Sequence, residues 1–158
     1  MKVIFLDIDG VMNYNKCPWF FNHETMERRH VEEHNKEWGG FYAICPDRVT
    51  ILLSILEKTG AKLVLSSTWR KNERWKEIMR CNGLDSELFL GRTVVLGGFR
   101  GEEIKEWLDK NPGVEKFAII DDDADMLAYQ KPSFFQTNFM NGGLNQEIAD
   151  RIIEHLNQ

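Results

Sequence analysis

Three short apolar runs set the terms on which this chain can fold. Lys2–Ile8 (KVIFLDI), Lys62–Ser66 (KLVLS) and Lys116–Asp121 (KFAIID) are dense in Val, Ile, Leu and Phe, with no regular polar alternation. A strand that reads this way is buried on both faces, the condition of a strand inside a parallel sheet. The stretches between them carry helical periodicity. Pro46–Thr59 sets Val49, Leu52, Leu53 and Leu56 at helical spacing, with Pro46 suited to a first turn and Gly60 to a C-terminal stop. Asn72–Cys81 and Gly101–Lys110 read as further helices, the second ended by Asn111-Pro112-Gly113. Leu144–Leu156 closes the sequence as an amphipathic helix, with Leu144, Ile148, Ile152 and Leu156 on one face. Thr93–Leu96 and Ser133–Thr137 read as short strands. Strands alternating with helices predict an α/β fold with a parallel sheet covered on both faces.

No repeat, low-complexity tract or Pro/Ser-rich linker interrupts the 158 residues, so residues 1–158 are read as one domain. Residues 13–45 break the alternation. Trp19, Phe20, Phe21, Trp38, Phe41 and Tyr42 flank a polar middle, Glu24–Glu37, which is expected to form an exposed helix. An insert directly after an acidic strand end is where a lid or cap sits; the other reading is a structural excursion packed on the sheet edge. A net charge of −5 argues against a broad basic surface for nucleic acid, though not against a strand end entering a small local site. The run Val3–Leu6 is cut off by Asp7, so neither a signal peptide nor a membrane span is expected. Cys17, Cys45 and Cys81 are odd in number and widely spaced, with no CxxC. They are read as reduced thiols in a cytoplasmic protein, not as a disulfide framework or a zinc site.

The strand ends carry the chemistry. In parallel sheets ligands bind at the carboxyl ends of the strands. Here the first strand ends in Asp7 and Asp9, the second in Ser66 and Ser67, and a later one in Asp121, Asp122 and Asp123. Gly10 permits the bend that lets Asp7 and Asp9 converge on one pocket with Asp121 and Asp122. Carboxylates gathered in this way repel, and a hard cation bound through oxygens, Mg²⁺ above all, relieves the repulsion. The alternative is a set of solvated turn acids.

DIDGV at 7–11, VLSS at 64–67 and AIIDDDADM at 118–126 resemble the first, second and fourth motifs of the haloacid dehalogenase (HAD) superfamily of phosphotransferases. The runs LVLSSTWR and RGEEIKEWL, with the late Asn-Gly-Gly-Leu, are similar to the HAD domains of RNA-repair proteins and of polynucleotide-kinase-type 3′-phosphatases. The resemblance spans essentially the whole chain. It implies a Rossmann-like three-layer sandwich with a small insert after the first strand. It also implies a phosphomonoesterase in which Asp7 attacks phosphorus and Asp9 serves as acid and then base. Mg²⁺ would be held by the Asp7 carboxylate, the Asp9 main-chain carbonyl, and Asp121 or Asp122. Ser66 would hydrogen-bond a phosphoryl oxygen. The third-motif cation is Arg100 or Lys105, and Arg100, at a helix start, is favoured because guanidinium binds phosphate bidentately. Ser67, Trp69, Arg70 and Lys105 stand as substrate-binding candidates, Arg70 by charge and Trp69 by stacking on a base.

Other signals carry less. His30-Val31-Glu32-Glu33-His34 matches an inverted zinc-protease pattern, but it falls in a Glu-rich stretch of the insert. No GxxxxGK[ST] occurs, so no P-loop kinase activity is expected. A phospho-receiver would carry an acceptor Asp where this chain has Ser66. The expected substrate is a nucleic-acid 3′-phosphate end. The alternatives are a nucleotide monophosphate or other small metabolite, and a catalytically silent binding module. Nothing in the sequence speaks to oligomeric state.

Overall fold

The computed structural model describes residues 1–17, 21–22, 27–28 and 42–158. Its centre is a five-stranded sheet in the order β5-β4-β1-β6-β7, with every pairing parallel. The strands are β1 (Lys2–Leu6), β4 (Lys62–Leu65), β5 (Phe89–Arg92), β6 (Lys116–Asp121) and β7 (Phe134–Gln136). Between β1 and β4 lie a two-stranded antiparallel ribbon, β2 (Phe21–Asn22) with β3 (Glu27–Arg28), and helix α1 (Pro46–Thr59). Helices α2 (Trp75–Cys81), α3 (Arg100–Lys110) and α4 (Gln146–Asn157) complete the chain.

The alternation of side chains along each strand divides the core in two. Ile4 and Leu6 of β1, Leu63 and Leu65 of β4, and Ala118 and Ile120 of β6 face α1, α2 and α4, against Leu52, Ile55, Ile78, Ile152 and Leu156. Val3, Phe5, Val64 and Ile119 face the other way, onto Ile104 of α3, with Trp107 edge-on to Phe5 at 5.4 Å. Both faces of the sheet are therefore buried, which is why the central strands read as unbroken apolar runs. The register aligns Leu6 with Leu65 on one side and with Ile120 on the other. Residues 7, 66 and 121 consequently stand at the same level at one end of the sheet, and this positions the site.

Several sequence expectations move. Thr93–Leu96 is not a strand; the edge strand is Phe89–Arg92, and Val94, Val95 and Leu96 run exposed beyond it. Phe89 decides this, because it packs edge-on against Trp75 at 5.4 Å, while strand propensity alone favoured the β-branched pair. The helix expected over Asn72–Cys81 shortens to Trp75–Cys81 and is preceded by a 3₁₀ turn at Thr68–Lys71. Asn145 caps α4 by accepting from the Ile148 N–H, so that helix starts at Gln146. Glu27 and Arg28 pair with Asn22 and Phe21, so the exposed helix expected over 24–37 does not include them. The rest of that expectation, and the His-x-x-Glu-His pattern, lie outside the described residues.

Cys17 and Cys45 are joined in a disulfide, and Cys81 is the free cysteine. This overturns the reading of three reduced thiols, and the argument for a reducing compartment that rested on it. Spacing gave no sign of the pair, because the insert returns the chain to its own starting point. Among the described residues, no helix is long and apolar enough to cross a membrane.

The bond closes a loop of sequence separation 28, worth about 3.6 kcal/mol to the folded state. Reduction, or Cys17→Ser, is expected to lower the melting temperature by roughly 7–14 °C. A thiol titration of the unreduced, denatured protein is expected to find one reactive group among three cysteines.

Candidate active site

Asp7 and Asp121 follow directly from the pairing of β1 with β6. The Asp7 N–H donates to the Ile120 carbonyl at 3.0 Å, which continues the ladder one residue beyond β1. Both side chains are buried, at 6% and 0% exposure. Asp122 is exposed beside them, and one carboxylate oxygen from each of the three residues lies within 4.8 Å of the others. Gly10 makes this approach possible. It takes a positive φ of 78°, and a Cβ there would stand 2.3 Å from Asp122 Oδ2.

Burial, followed by the charge of Asp121, pushes the Asp7 carboxyl up to about 8, against the pull of Arg100. Burial likewise raises Asp121, to about 6, with Arg100 opposing. Arg100 is the local counter-charge: its Nη2 lies 3.8 Å from Asp7 Oδ1 and its Nε 3.5 Å from Asp121 Oδ2. These are ion pairs too long to be hydrogen bonds. Arg100 opens α3, whose N-terminus is bound to the loop after β6. The Arg100 N–H donates to Asp125 Oδ2 at 2.9 Å and the Gly101 N–H to the Asp125 carbonyl at 3.2 Å. A Cβ at Gly101 would sit 2.6 Å from the Leu127 nitrogen, so a larger residue there would push the helix start away.

Ser66 lies at the end of β4, wholly buried, and its N–H donates to the Leu6 carbonyl at 3.0 Å. Among the described residues its hydroxyl has no hydrogen-bond partner; nor have Arg100 Nη1 and Asp121 Oδ2. Buried polar atoms are nearly always satisfied, and these three belong to Arg100 and Asp121 of the carboxylate group and to Ser66 at the same level of the neighbouring strand, so they are free to take polar atoms of a ligand. The oxygen donors suit a hard divalent cation such as Mg²⁺. Clefts of about 270 Å³ beside Arg100 and about 550 Å³ beside Asp122 open on this end of the sheet.

Asp9 is apart from that group. Its exposed carboxylate accepts from Trp69 Nε1 at 3.0 Å and from Asn13 Nδ2 at 2.9 Å. Trp69 is 6% exposed and packed in the core, where the sequence reading had it stacking on a base. Ser67 caps the 3₁₀ turn, its hydroxyl accepting from the Trp69 N–H at 3.2 Å. Arg70, read as a substrate contact, is buried among internal partners. It donates to the carbonyls of Ser66, Ser67, Thr93 and Val94 and pairs with buried Glu103 at 2.6 Å. Lys105 is half-exposed on α3 and pairs with Asp109 one turn on. Of the two candidate cations, the structure brings Arg100 to the carboxylates.

Sequence reasoning missed Asn13, Glu103 and Asp125. Glu103 and Asp125 fall within the runs RGEEIKEWL and IIDDDADM but had been given no role. Nothing in the sequence marked Asn13.

The sequence model of the family described as "HAD domain in Swiss Army Knife RNA repair proteins" matches residues 3–149. No curated protein and no solved structure matches the chain.

The folded protein binds more protons than the unfolded chain between about pH 4 and pH 8, because both carboxyls are raised in it. Stability from this source is intact near pH 4 and is lost as pH rises through that window. In EDTA, Asp7→Asn is therefore expected to melt several degrees above wild type at pH 8, with the gap closing toward pH 4.5, as measured by calorimetry. Arg70→Ala leaves Glu103 buried without its partner, and is expected to cost about 3–5 kcal/mol in chemical denaturation.

Proposed function

The chain belongs to the HAD domains found in Swiss Army Knife RNA repair proteins, and on that premise we propose that it is a Mg²⁺-dependent phosphomonoesterase acting on the 3′-phosphate end of a nucleic-acid strand. The observation that carries the chemistry is the group of orphaned polar atoms around Asp7: Ser66 Oγ, Arg100 Nη1 and Asp121 Oδ2. A phosphoryl group beside a metal ion supplies the acceptors and the cation that they lack.

Asp7, Asp121 and Asp122 would hold the ion, with the Asp9 main-chain carbonyl completing the protein's share. The ion, when bound, neutralises phosphate charge and keeps the Asp7 carboxylate ionised. The Asp7 carboxylate attacks phosphorus and the bond to the leaving oxygen breaks, while Asp9 passes its proton to that oxygen. Water then attacks the aspartyl-phosphate and gives a proton to Asp9, and the bond between phosphorus and Asp7 breaks. Ser66 and Arg100 take the phosphoryl oxygens and stabilise charge as it spreads over them.

The clefts beside Arg100 and beside Asp122 give room for a polymer end, and Lys71 and Thr68 line the one beside Arg100. The net charge of −5 confines favourable contact with a polyanion to such local features. A nucleotide monophosphate is the competing substrate.

Phosphate release measured with Mg²⁺ and with EDTA tests this reading, on a 3′-phosphorylated oligonucleotide, a mononucleotide set and an aryl phosphate. Turnover is expected to need the metal and to fall at least a thousand-fold in Asp7→Asn. Arg100→Ala is expected to lose about a hundred-fold in kcat, and Lys105→Ala less than about two-fold. Preference for the oligonucleotide, with KM rising steeply in salt, marks an end-processing enzyme; equal turnover by wild type and Asp7→Asn would overturn the assignment.

A further inference from the structure

Asp9 is an exposed carboxylate on a loop, and such a side chain ordinarily samples several rotamers. Here both of its oxygens are occupied by donors that are themselves immobilised. On one side is the Trp69 indole N–H, 3.0 Å from Oδ2. The indole cannot turn away: its ring is 6% exposed and meets the Tyr42 ring edge-on at 5.0 Å, and its backbone N–H is capped by Ser67. On the other side is the Asn13 amide, 2.9 Å from Oδ1. Asn13 is fixed at both ends of its amide group, its Oδ1 accepting from the Gly10 N–H at 3.0 Å and its Nδ2 also reaching the Ala43 carbonyl at 3.4 Å.

We propose that Trp69 and Asn13 are the positioning residues of Asp9, fixing the carboxyl that exchanges a proton with the leaving group and with water. This rests on the reading of Asp9 as the acid and base of a phosphomonoesterase. Each oxygen keeps a second lone pair, so the two donors orient the carboxyl without blocking proton exchange. A general acid contributes only when held within hydrogen-bond reach of the departing oxygen, and this clamp removes the rotational freedom that would otherwise spoil that geometry. The clamp draws on the β1 loop, the turn after β4 and the returning end of the insert, so the insert contributes to the site through Tyr42 and Ala43.

Trp69→Phe tests the proposal, since it keeps an aromatic ring in the core and deletes only the donor and the benzo edge. Asn13→Ala is the second variant; Asn13 is half-buried, so its truncation opens no core cavity. An alcohol leaving from an oligonucleotide 3′-phosphate needs protonation, and p-nitrophenolate does not. Each variant is expected to lower kcat/KM on a 3′-phosphorylated oligonucleotide by about ten-fold and on p-nitrophenyl phosphate by less than about two-fold. In an Asp9→Asn background, Trp69→Phe is expected to add nothing further. Equal losses on both substrates, or losses additive with Asp9→Asn, would mean a structural role and overturn the proposal. The hydrogen bond has its own readout in the ¹⁵N–¹H spectrum, where Trp69→Phe identifies one of five indole signals. That signal is expected to move on Asp9→Ala, and an unmoved signal overturns the proposal whatever the kinetics. A shifted signal with no leaving-group dependence in Asp9→Asn would leave the clamp standing and remove the acid role from Asp9.

Discussion

Two carboxylates buried side by side at the end of a parallel sheet are the constraint that the rest of this molecule accommodates. Asp7 and Asp121 are brought together by the pairing of Leu6 with Ile120, and that pairing is fixed by side chains packed on both faces of the sheet. Moving either strand by one residue would exchange the side chains packed on its two faces and draw Asp7 and Asp121 out of level with each other. Core packing therefore holds two carboxyls buried side by side, and burial above all raises the proton affinity of both, with the charge of Asp121 adding to it at Asp7. Arg100 offsets part of that repulsion, and the helix that carries it is attached to the same β6 loop through Asp125.

Around this pair the molecule separates two kinds of arginine. Arg100 approaches the carboxylates without completing hydrogen bonds to them, and one of its terminal nitrogens has no partner among the described residues. Arg70 is the opposite case. Its guanidinium ties the carbonyls after β4 to those after β5 and is neutralised by Glu103, which also accepts from the Leu96 N–H at 3.0 Å. One arginine is left available to a ligand, and the other braces the loops that surround it. A buried guanidinium with its hydrogen bonds filled gives geometry to its neighbours at little net gain in stability.

The sheet and the acids were legible because burial on two faces and polarity at strand ends both leave local marks in a sequence. KFAIIDDD states strand, strand end and carboxylates within eight residues, and α1 was readable to its limits from Pro46 and Gly60. What failed to show depends on contacts across the fold. The edge strand was displaced to Phe89–Arg92 by a tryptophan in α2, which strand propensity does not register. Arg70 beside a strand end looks like any cation near a phosphate site, and only its burial against Glu103 distinguishes it. Asn13 acts through residues 9, 10 and 43, and the pairing of Cys17 with Cys45 depends on the path of the intervening chain.

That disulfide also bears on how such a domain can diversify. It fixes the Cα atoms at the two ends of the intervening segment 6.1 Å apart, with Asn13 a few residues before Cys17 and Ala43 just before Cys45. The exchangeable part of the intervening segment therefore stops short of Tyr42, whose ring packs on Trp69, and Ala43, whose carbonyl holds the Asn13 amide. Between those limits length and sequence can vary while the staple and the contacts at its two ends keep Asp9 where it is.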